Sequence, residues 1–316
     1  MVIISGIFIL YLFLIFISLI GFLKTDKSSE IIELNSFITL IIPYRNEEYR
    51  IHNLLTSLES QKDISAVSKI IFVDDHSTDL TREKINNWIS KQDIKCESLF
   101  LDEYHGKKRA IDLGVQKSPS EFVMIMDADI SFKDVFFSSI KKSIDLNYDL
   151  YLTAVVEKNG IVWSRILSYS MSVISIGMAN IGIPILANGA GLIFRRKSYN
   201  ELMPFNSNFN ISSGDDMFLL NSFLSNKRSI KTLFNRNLFI ETQGSKDIRD
   251  MVERSLRWSG KMKMNGLLTT KLVGLLVIIC NIIIIPLILL SIFKFQWLFF
   301  LFLLLIAHKL SNNISA

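Results

Sequence analysis

With only two cysteines in 316 residues, Cys96 and Cys280, the chain has no material for a disulfide framework or a cysteine zinc site, and a reducing compartment fits. No internal repeat is present, and only the polar stretch 25–36 reads as a linker. Residues 2–23 lack any charge, and at about 1.5 Å rise per residue a helix of that length spans a hydrocarbon core. No basic segment precedes this run and no small-residue cleavage site follows it, so an uncleaved anchor is expected rather than a signal peptide.

What is abundant is apolar: 49% of the residues are hydrophobic, high for a soluble protein, and the excess sits at the ends. Residues 267–292 contain only Lys271, and 295–307 follow Lys294, which reads as a helical hairpin with a short third segment. Lys24 and Lys27 follow the first span, while Arg249, Arg254, Arg257, Lys261 and Lys263 precede the second, placing everything from 24 to 266 in the cytosol. A basic skirt beside anionic headgroups then accounts for the net charge of +5, with no nucleic acid required.

The middle of the chain alternates. Residues 37–42, stopped by Pro43, and then 69–73 and 121–126 are continuous apolar runs rich in β-branched residues, as expected of strands buried on both faces. Helical stretches at 47–60, 78–89 and 107–116 lie between them, so the fold class is α/β with a mostly parallel central sheet. Ligands of such sheets bind beyond the carboxyl ends of the strands. Tyr44 to Glu47, Asp74-Asp75, and Asp127 with Asp129 all fall there. Residues 161–187 are apolar but broken by Ser, Gly and Pro184; an interfacial helix against a bilayer is expected, with a buried core helix as the alternative.

Four fragments recur in a telling order: Val73-Asp74-Asp75-His76-Ser77-Thr78-Asp79, Met126-Asp127-Ala128-Asp129, Gly214-Asp215-Asp216 and Arg254-Ser255-Leu256-Arg257-Trp258. Each alone is weak, because Asp-x-Asp is usually a cap or loop, an acid pair can cap a helix, and a basic aromatic helix can simply lie beside a membrane. Together they resemble the family 2 glycosyltransferases, inverting GT-A enzymes that include cellulose, chitin and hyaluronan synthases and ceramide glucosyltransferases. The last fragment is similar to the Arg-x-x-Arg-Trp signature of the membrane-bound branch.

The resemblance implies a GT-A catalytic domain at 37–265, with an anchor at 1–23, a linker at 24–36, an interfacial helix at 248–264 and a transmembrane hairpin at 266–310. It implies a nucleotide-sugar donor, UDP-linked first, a lipid or saccharide acceptor, and Mn²⁺ or Mg²⁺, for which hard carboxylate oxygens are suited. Asp129 would ligate the metal, with Asp127 nearer the ribose or a metal-bound water. Asp75 would hold the base, with Asp74 supporting the turn, and the family's usual Gly is replaced by His76. Lys107 matches the family's Gly-Lys-x-x-Ala, where backbone amides and a cation favour phosphate, and Tyr44 and Glu47 border the donor. The segment Asn188-Gly189-Ala190-Gly191 resembles the small-residue turn before the acid pair.

Asp216 would be the general base, assisted by like-charge Asp215, and Arg254, Arg257 and Trp258 would meet the diphosphate or acceptor. The expected setting is an integral membrane protein, its catalytic domain cytosolic, in a bacterial inner membrane, with an oligomer left open. Three spans leave little material for a product pore, which favours single transfer over the alternative of a processive polysaccharide synthase. A distant alternative is a receiver-like phosphoacceptor protein, because Asp74-Asp75 and Asp127 also resemble its acidic pair and acceptor. The strand ahead of that acidic pair, Gly214-Asp215-Asp216 and the Arg-Trp fragment have no place in a receiver.

Overall fold

The computed structural model describes residues 2–24, 36–264, 271–273, 275–276 and 279–280, with the side chains of 2–5, 8 and 257–264 outside the description. The chain divides into two units, one of Met1–Leu14 with Lys271–Ala316, the other Ile15–Thr270. In the first, Cys280 Sγ lies 3.9 Å from the Ile7 carbonyl oxygen. Most of the expected linker and hairpin lies outside the described residues. Helix α1 (Val2–Leu23) carries no charge, but among the described residues no helix is long and apolar enough to cross a membrane.

The second unit alternates as its hydrophobic pattern requires. Its strands are β1 (Ile38–Tyr44), β2 (Val67–Asp74), β3 (Cys96–Phe100), β4 (Phe122–Ile125), β5 (Ser131–Phe132), β6 (Leu150–Thr153), β7 (Val155–Lys158), β8 (Leu192–Arg195), β9 (Ile230–Leu233) and β10 (Ile240–Gln243). The helices are α2 (Ile51–Glu59), α3 (Thr81–Ile89), α4 (Lys107–Gln116), α5 (Phe136–Ser143), α6 (Val162–Asn180), α7 (Arg196–Leu202), α8 (Asp215–Ser225) and α9 (Ile248–Met264). A seven-stranded sheet runs β3-β2-β1-β4-β8-β6-β9. Only β8 is reversed in it, pairing antiparallel with β4 and β6. A small sheet orders β5-β10-β7.

Every residue of β1 is buried, because both faces are covered. Ile38, Leu40 and Ile42 pack with Leu54 and Leu58 of α2, Ile85 and Trp88 of α3, and Phe136 of α5. Ile41 faces the other way, with Ala110, Ile111 and Val115 of α4 and Leu219, Leu220 and Phe223 of α8. This two-sided burial is why the strands read as continuous rather than alternating apolar runs. One boundary differs from expectation: β1 runs through Pro43 to Tyr44. Its pairing with β4 ends at Ile41, so the N–H that Pro43 lacks has no ladder partner to serve on that side.

The first half of helix α6 is built inside out, while its second half buries Ile176 and Met178. Its Ser164 and Ser168 are buried, while Val162, Trp163, Ile166, Leu167 and Tyr169 are exposed. The serines bond locally: Ser164 Oγ donates to Ile161 O, Ser172 Oγ to Val155 O and Ser175 Oγ to Leu186 O, and Ser168 Oγ accepts the Glu157 N–H. The last turns of α1 cross α6 at small residues. A Cβ added to Gly177 would lie 1.9 Å from Ser18 O, and Asn180 Nδ2 donates to Gly21 O at 3.0 Å.

Candidate active site

Four neighbouring parallel strands, β3, β2, β1 and β4, deliver their carboxyl-end loops to one edge of the sheet, and the loops are stitched together. Asn46 Oδ1 accepts the Thr78 N–H at 2.8 Å, and Thr81 Oγ1 accepts the Glu47 N–H at 2.8 Å. Asp79 closes the same junction, accepting the Glu48 N–H at 3.1 Å.

After β2, Asp74 is fully buried. Its Oδ1 accepts the Ser77 N–H at 2.8 Å and its Oδ2 pairs with Arg82 Nε at 2.8 Å, so it holds the turn. Asp75 Oδ1 accepts the Gly106 N–H at 2.9 Å, which ties the base-pocket candidate to the residue preceding Lys107. His76 takes the left-handed conformation that glycine would otherwise supply, φ 60°. Its ring stacks 3.8 Å from that of His105, and Asp75, His76 and His105 bring ligand atoms within 4.8 Å of one another. Tyr44 is not brought to this surface: it is 3% exposed, and burial, then the Asp74 carboxylate, pushes its hydroxyl up to about 12.

After β4, alternate residues emerge as the i, i+2 spacing requires, and Asp127 and Asp129 each meet a cation. Lys107 Nζ, from the first turn of α4, lies 2.6 Å from Asp127 Oδ1 and 3.0 Å from Asp215 Oδ2. Arg50 Nη1 lies 3.4 Å from Asp129 Oδ2, and Arg50 Nε lies 2.7 Å from Glu47 Oε2. One ammonium therefore joins the carboxylate after β4 to the acid pair at the start of α8. Gly189 makes room for this bridge: a Cβ there would sit 2.8 Å from Asp215 Oδ2 and 3.2 Å from Lys107 Nζ.

The charges do not balance. Glu47, Asp127, Asp129 and Asp215 pair directly with only two cations, Arg50 and Lys107, and with the Lys108 charge acting on Asp215 from further off the four carboxylates still outnumber the cations. Burial raises Glu47 to about 7, with Asp129 and Asp127 adding to the rise against Arg50. Asp129 is likewise held above the usual carboxylate range, by burial and then by Asp127. Burial alone would depress Lys107, but Asp127 and Asp215 overcome it and hold the ammonium charged. A half-buried set of hard oxygen donors with surplus negative charge fits a divalent cation.

The acid pair does not cap a helix. Gly214 occupies the cap position in a left-handed conformation, and both acids lie in the first turn of α8, where Asp216 Oδ1 accepts the Met217 N–H at 2.9 Å. Asp216 lines a cavity with Leu152, Val155, Met171, Ile176 and Leu186. Arg254 is engaged elsewhere: Nη1 donates to Gln243 O at 2.7 Å and lies 3.7 Å from Glu157 Oε1, and Nε donates to Asp250 Oδ1 at 3.1 Å. The side chains of Arg257 and Trp258 lie outside the described residues. From the sequence alone a lone His105 carries little weight as a pocket residue and Arg50 carries no signal, since His76 and Asp129, which they meet, stand far away in the chain.

The glycosyl transferase family 2 model matches residues 39–213, more than half of the chain and up to the residue before Gly214. The dolichyl-phosphate beta-glucosyltransferase of Dictyostelium discoideum is 30% identical over 109 residues, 32% of this chain and 33% of that protein. The undecaprenyl-phosphate 4-deoxy-4-formamido-L-arabinose transferase of Pseudomonas aeruginosa is 23% identical over 129 residues, 40% of this chain and 38% of that one. The chain's matched stretch thus spans little more than a third of the length of these curated relatives. Among solved structures, the mannosyltransferase PcManGT of Pyrobaculum calidifontis, in complex with GDP-Man and Mn²⁺, superposes with a TM-score of 0.61 at 17% identity, covering 81% of this chain and 69% of that one. That likeness is one of fold, and the receiver-like alternative falls with the family match. The chain therefore belongs to glycosyl transferase family 2 and has the GT-A fold.

Proposed function

We propose that the protein is a membrane-bound, inverting glycosyltransferase that moves one sugar from a nucleotide-diphospho-sugar, UDP-linked first, to a polyprenyl-phosphate or other lipid-linked acceptor. The observation that carries this reading is the Lys107 bridge, whose ammonium lies within 3.0 Å of both Asp127 and Asp215. Asp75 holds the base, Lys107 meets the diphosphate, and Asp216, with Asp215 beside it, takes the proton of a hydroxyl acceptor. Asp129 and Asp127 would hold Mn²⁺ or Mg²⁺, with Glu47 close by. When bound, that ion supplies positive charge to the departing diphosphate.

The acceptor assignment draws on the two polyprenyl-phosphate relatives and on the cavity at Asp216. The hydroxyls of Ser172 and Ser175 in its wall are committed to backbone oxygens, so on that side the cavity offers an acceptor mainly the apolar groups of Leu152, Val155, Met171, Ile176 and Leu186. Membrane attachment is supported by the uncharged α1 and by the outward apolar residues of α6 and α9, with Ile248, Val252 and Leu256 exposed on the latter. Arg254, Arg257 and Trp258 are proposed for the diphosphate or acceptor side, which for Arg254 means exchanging its bonds to Asp250 and Gln243.

Native membranes incubated with a panel of radiolabelled nucleotide sugars test this. Label should pass into an organic-solvent extract in the presence of Mn²⁺ or Mg²⁺. Label retained as insoluble polymer would establish the processive alternative, and label in neither fraction from any donor would defeat the reading.

A further inference from the structure

Between α7 and α8 the chain runs through residues 203–214, held within itself by turn hydrogen bonds from the Asn206, Asn208 and Ile211 N–H groups and by the Phe205–Phe209 ring contact. Phe205 is buried at its start and Gly214 at its end, but no residue from 206 to 213 is buried. This stretch nonetheless sets where Gly214 turns into the helix that carries Asp215 and Asp216.

The tie comes from the other side of the site. Lys108 follows the donor lysine, and about 100° of helix rotation turns its side chain away from Asp127. Its ammonium donates to the carbonyl oxygens of Asn208 and Ile211, both at 2.9 Å. It also lies 4.1 Å from the ring centroid of Phe218, in the first turns of α8. The residue is 4% exposed, yet two carbonyls and an aromatic face account for all three N–H directions of the ammonium. Next to it, the Arg109 guanidinium lies 3.6 Å from the Phe209 ring centroid and 4.5 Å from that of Tyr104. Three consecutive cations thus divide the work: Lys107 faces the site, and Lys108 and Arg109 hold the loop.

We propose that Lys108 is a positioning residue for transfer: it pins the 206–213 loop and the start of α8 to α4, and so sets the acid pair relative to Lys107 and the donor. The inference rests on the reading of Asp215 and Asp216 given above. Because Lys108 touches neither donor nor metal carboxylate, its loss acts on the acid pair, through the loop's geometry and through the positive charge it sets near Asp215 and Asp216, rather than on donor affinity. Displacing a reacting group by about 1 Å can cost about 100-fold in rate.

The test compares Lys108→Met and Lys108→Arg in the full-length protein, reading donor affinity by calorimetry, kcat, and hydrogen exchange of residues 206–213. Lys108→Met should lower kcat by about 10- to 100-fold, leave the donor Kd within about twofold, and speed exchange in the loop but not in the central strands. Arginine can donate to both carbonyls and stack on Phe218, so Lys108→Arg should recover most of the kcat and the loop protection. An unchanged kcat, a fall in donor affinity matching the fall in kcat, or an arginine variant as impaired as the methionine one would overturn the proposal. If Lys108→Met does not fold, Lys108→Gln, which keeps N–H donors for one carbonyl, replaces it in the same readouts. The exchange arm is independent of catalysis, so a fully active Asp216→Asn would remove the base assignment and leave the loop result standing.

Discussion

One oxygen of Asp216 is fixed by the backbone of its own helix, so the carboxylate is oriented before any acceptor arrives. Its importance then depends on what the acceptor offers. A hydroxyl must lose its proton, and Asp216→Asn should slow single-turnover transfer to such an acceptor by about 10² to 10⁴ while leaving donor affinity intact. A phosphate monoester, with a second pKa near 6, is already largely ionised at neutral pH, so the same variant should be far less impaired on it. Asp129→Asn should weaken metal-dependent donor binding as well as rate, whichever acceptor is used. Glu47 makes a pH-dependent prediction. Its carboxyl titrates near 7 in the folded protein against an ordinary 4.5, so between those values the folded state binds a proton that the unfolded state does not. Metal-free protein should gain stability from this group as pH falls from 7 towards 4.5, and that gain is absent above pH 7. A cation competes with the proton, so Mn²⁺ affinity measured by calorimetry should climb as pH rises through 7. In Glu47→Gln that climb should flatten; a profile as steep as wild type would remove Glu47 from the cation's surroundings.

At the level of elements, the α1–α6 crossing is the tightest contact to test. With Gly177 pressed against the Ser18 carbonyl, Gly177→Ala forces the helices apart and should cost about 1–3 kcal/mol, read as a lower Tm in detergent; an unchanged Tm would mean the crossing does not hold the fold. What could be read from the sequence follows from locality. β1, β2 and β4 announced themselves because two-sided burial writes an uninterrupted apolar run, and α4 begins at Lys107 as its pattern predicts. The placement of Asp75, Asp127 and Asp129 followed from strand ends. The ion pairs were not legible: Arg50 and Asp129 are 79 residues apart, and no periodicity links them. The role of the α6 serines was not legible for a related reason. They look like polar interruptions of an apolar stretch, whereas their hydroxyls are spent on backbone groups of α6 itself and of its neighbours, Val155, Glu157 and Leu186. The burial of Tyr44 was not legible either, because β1 extends one residue past Pro43.

At the level of the whole molecule, the proposed orientation can be read directly. Single cysteines introduced at Thr25 and Met264, after Cys96 and Cys280 are replaced by serine, should react with an impermeant reagent in inverted vesicles and stay unlabelled in intact cells. Labelling of either position from outside would separate the catalytic unit from the cytosolic nucleotide-sugar supply. The outward-facing Trp163, Ile166 and Leu167 of α6 carry a kinetic corollary. If that face rests in lipid, enzyme and acceptor meet by diffusion in two dimensions, and the rate follows the acceptor's mole fraction in the surface rather than its amount per volume. Adding inert detergent to mixed micelles at constant acceptor should then slow transfer by surface dilution, while enlarging the aqueous volume at a fixed micelle composition should not.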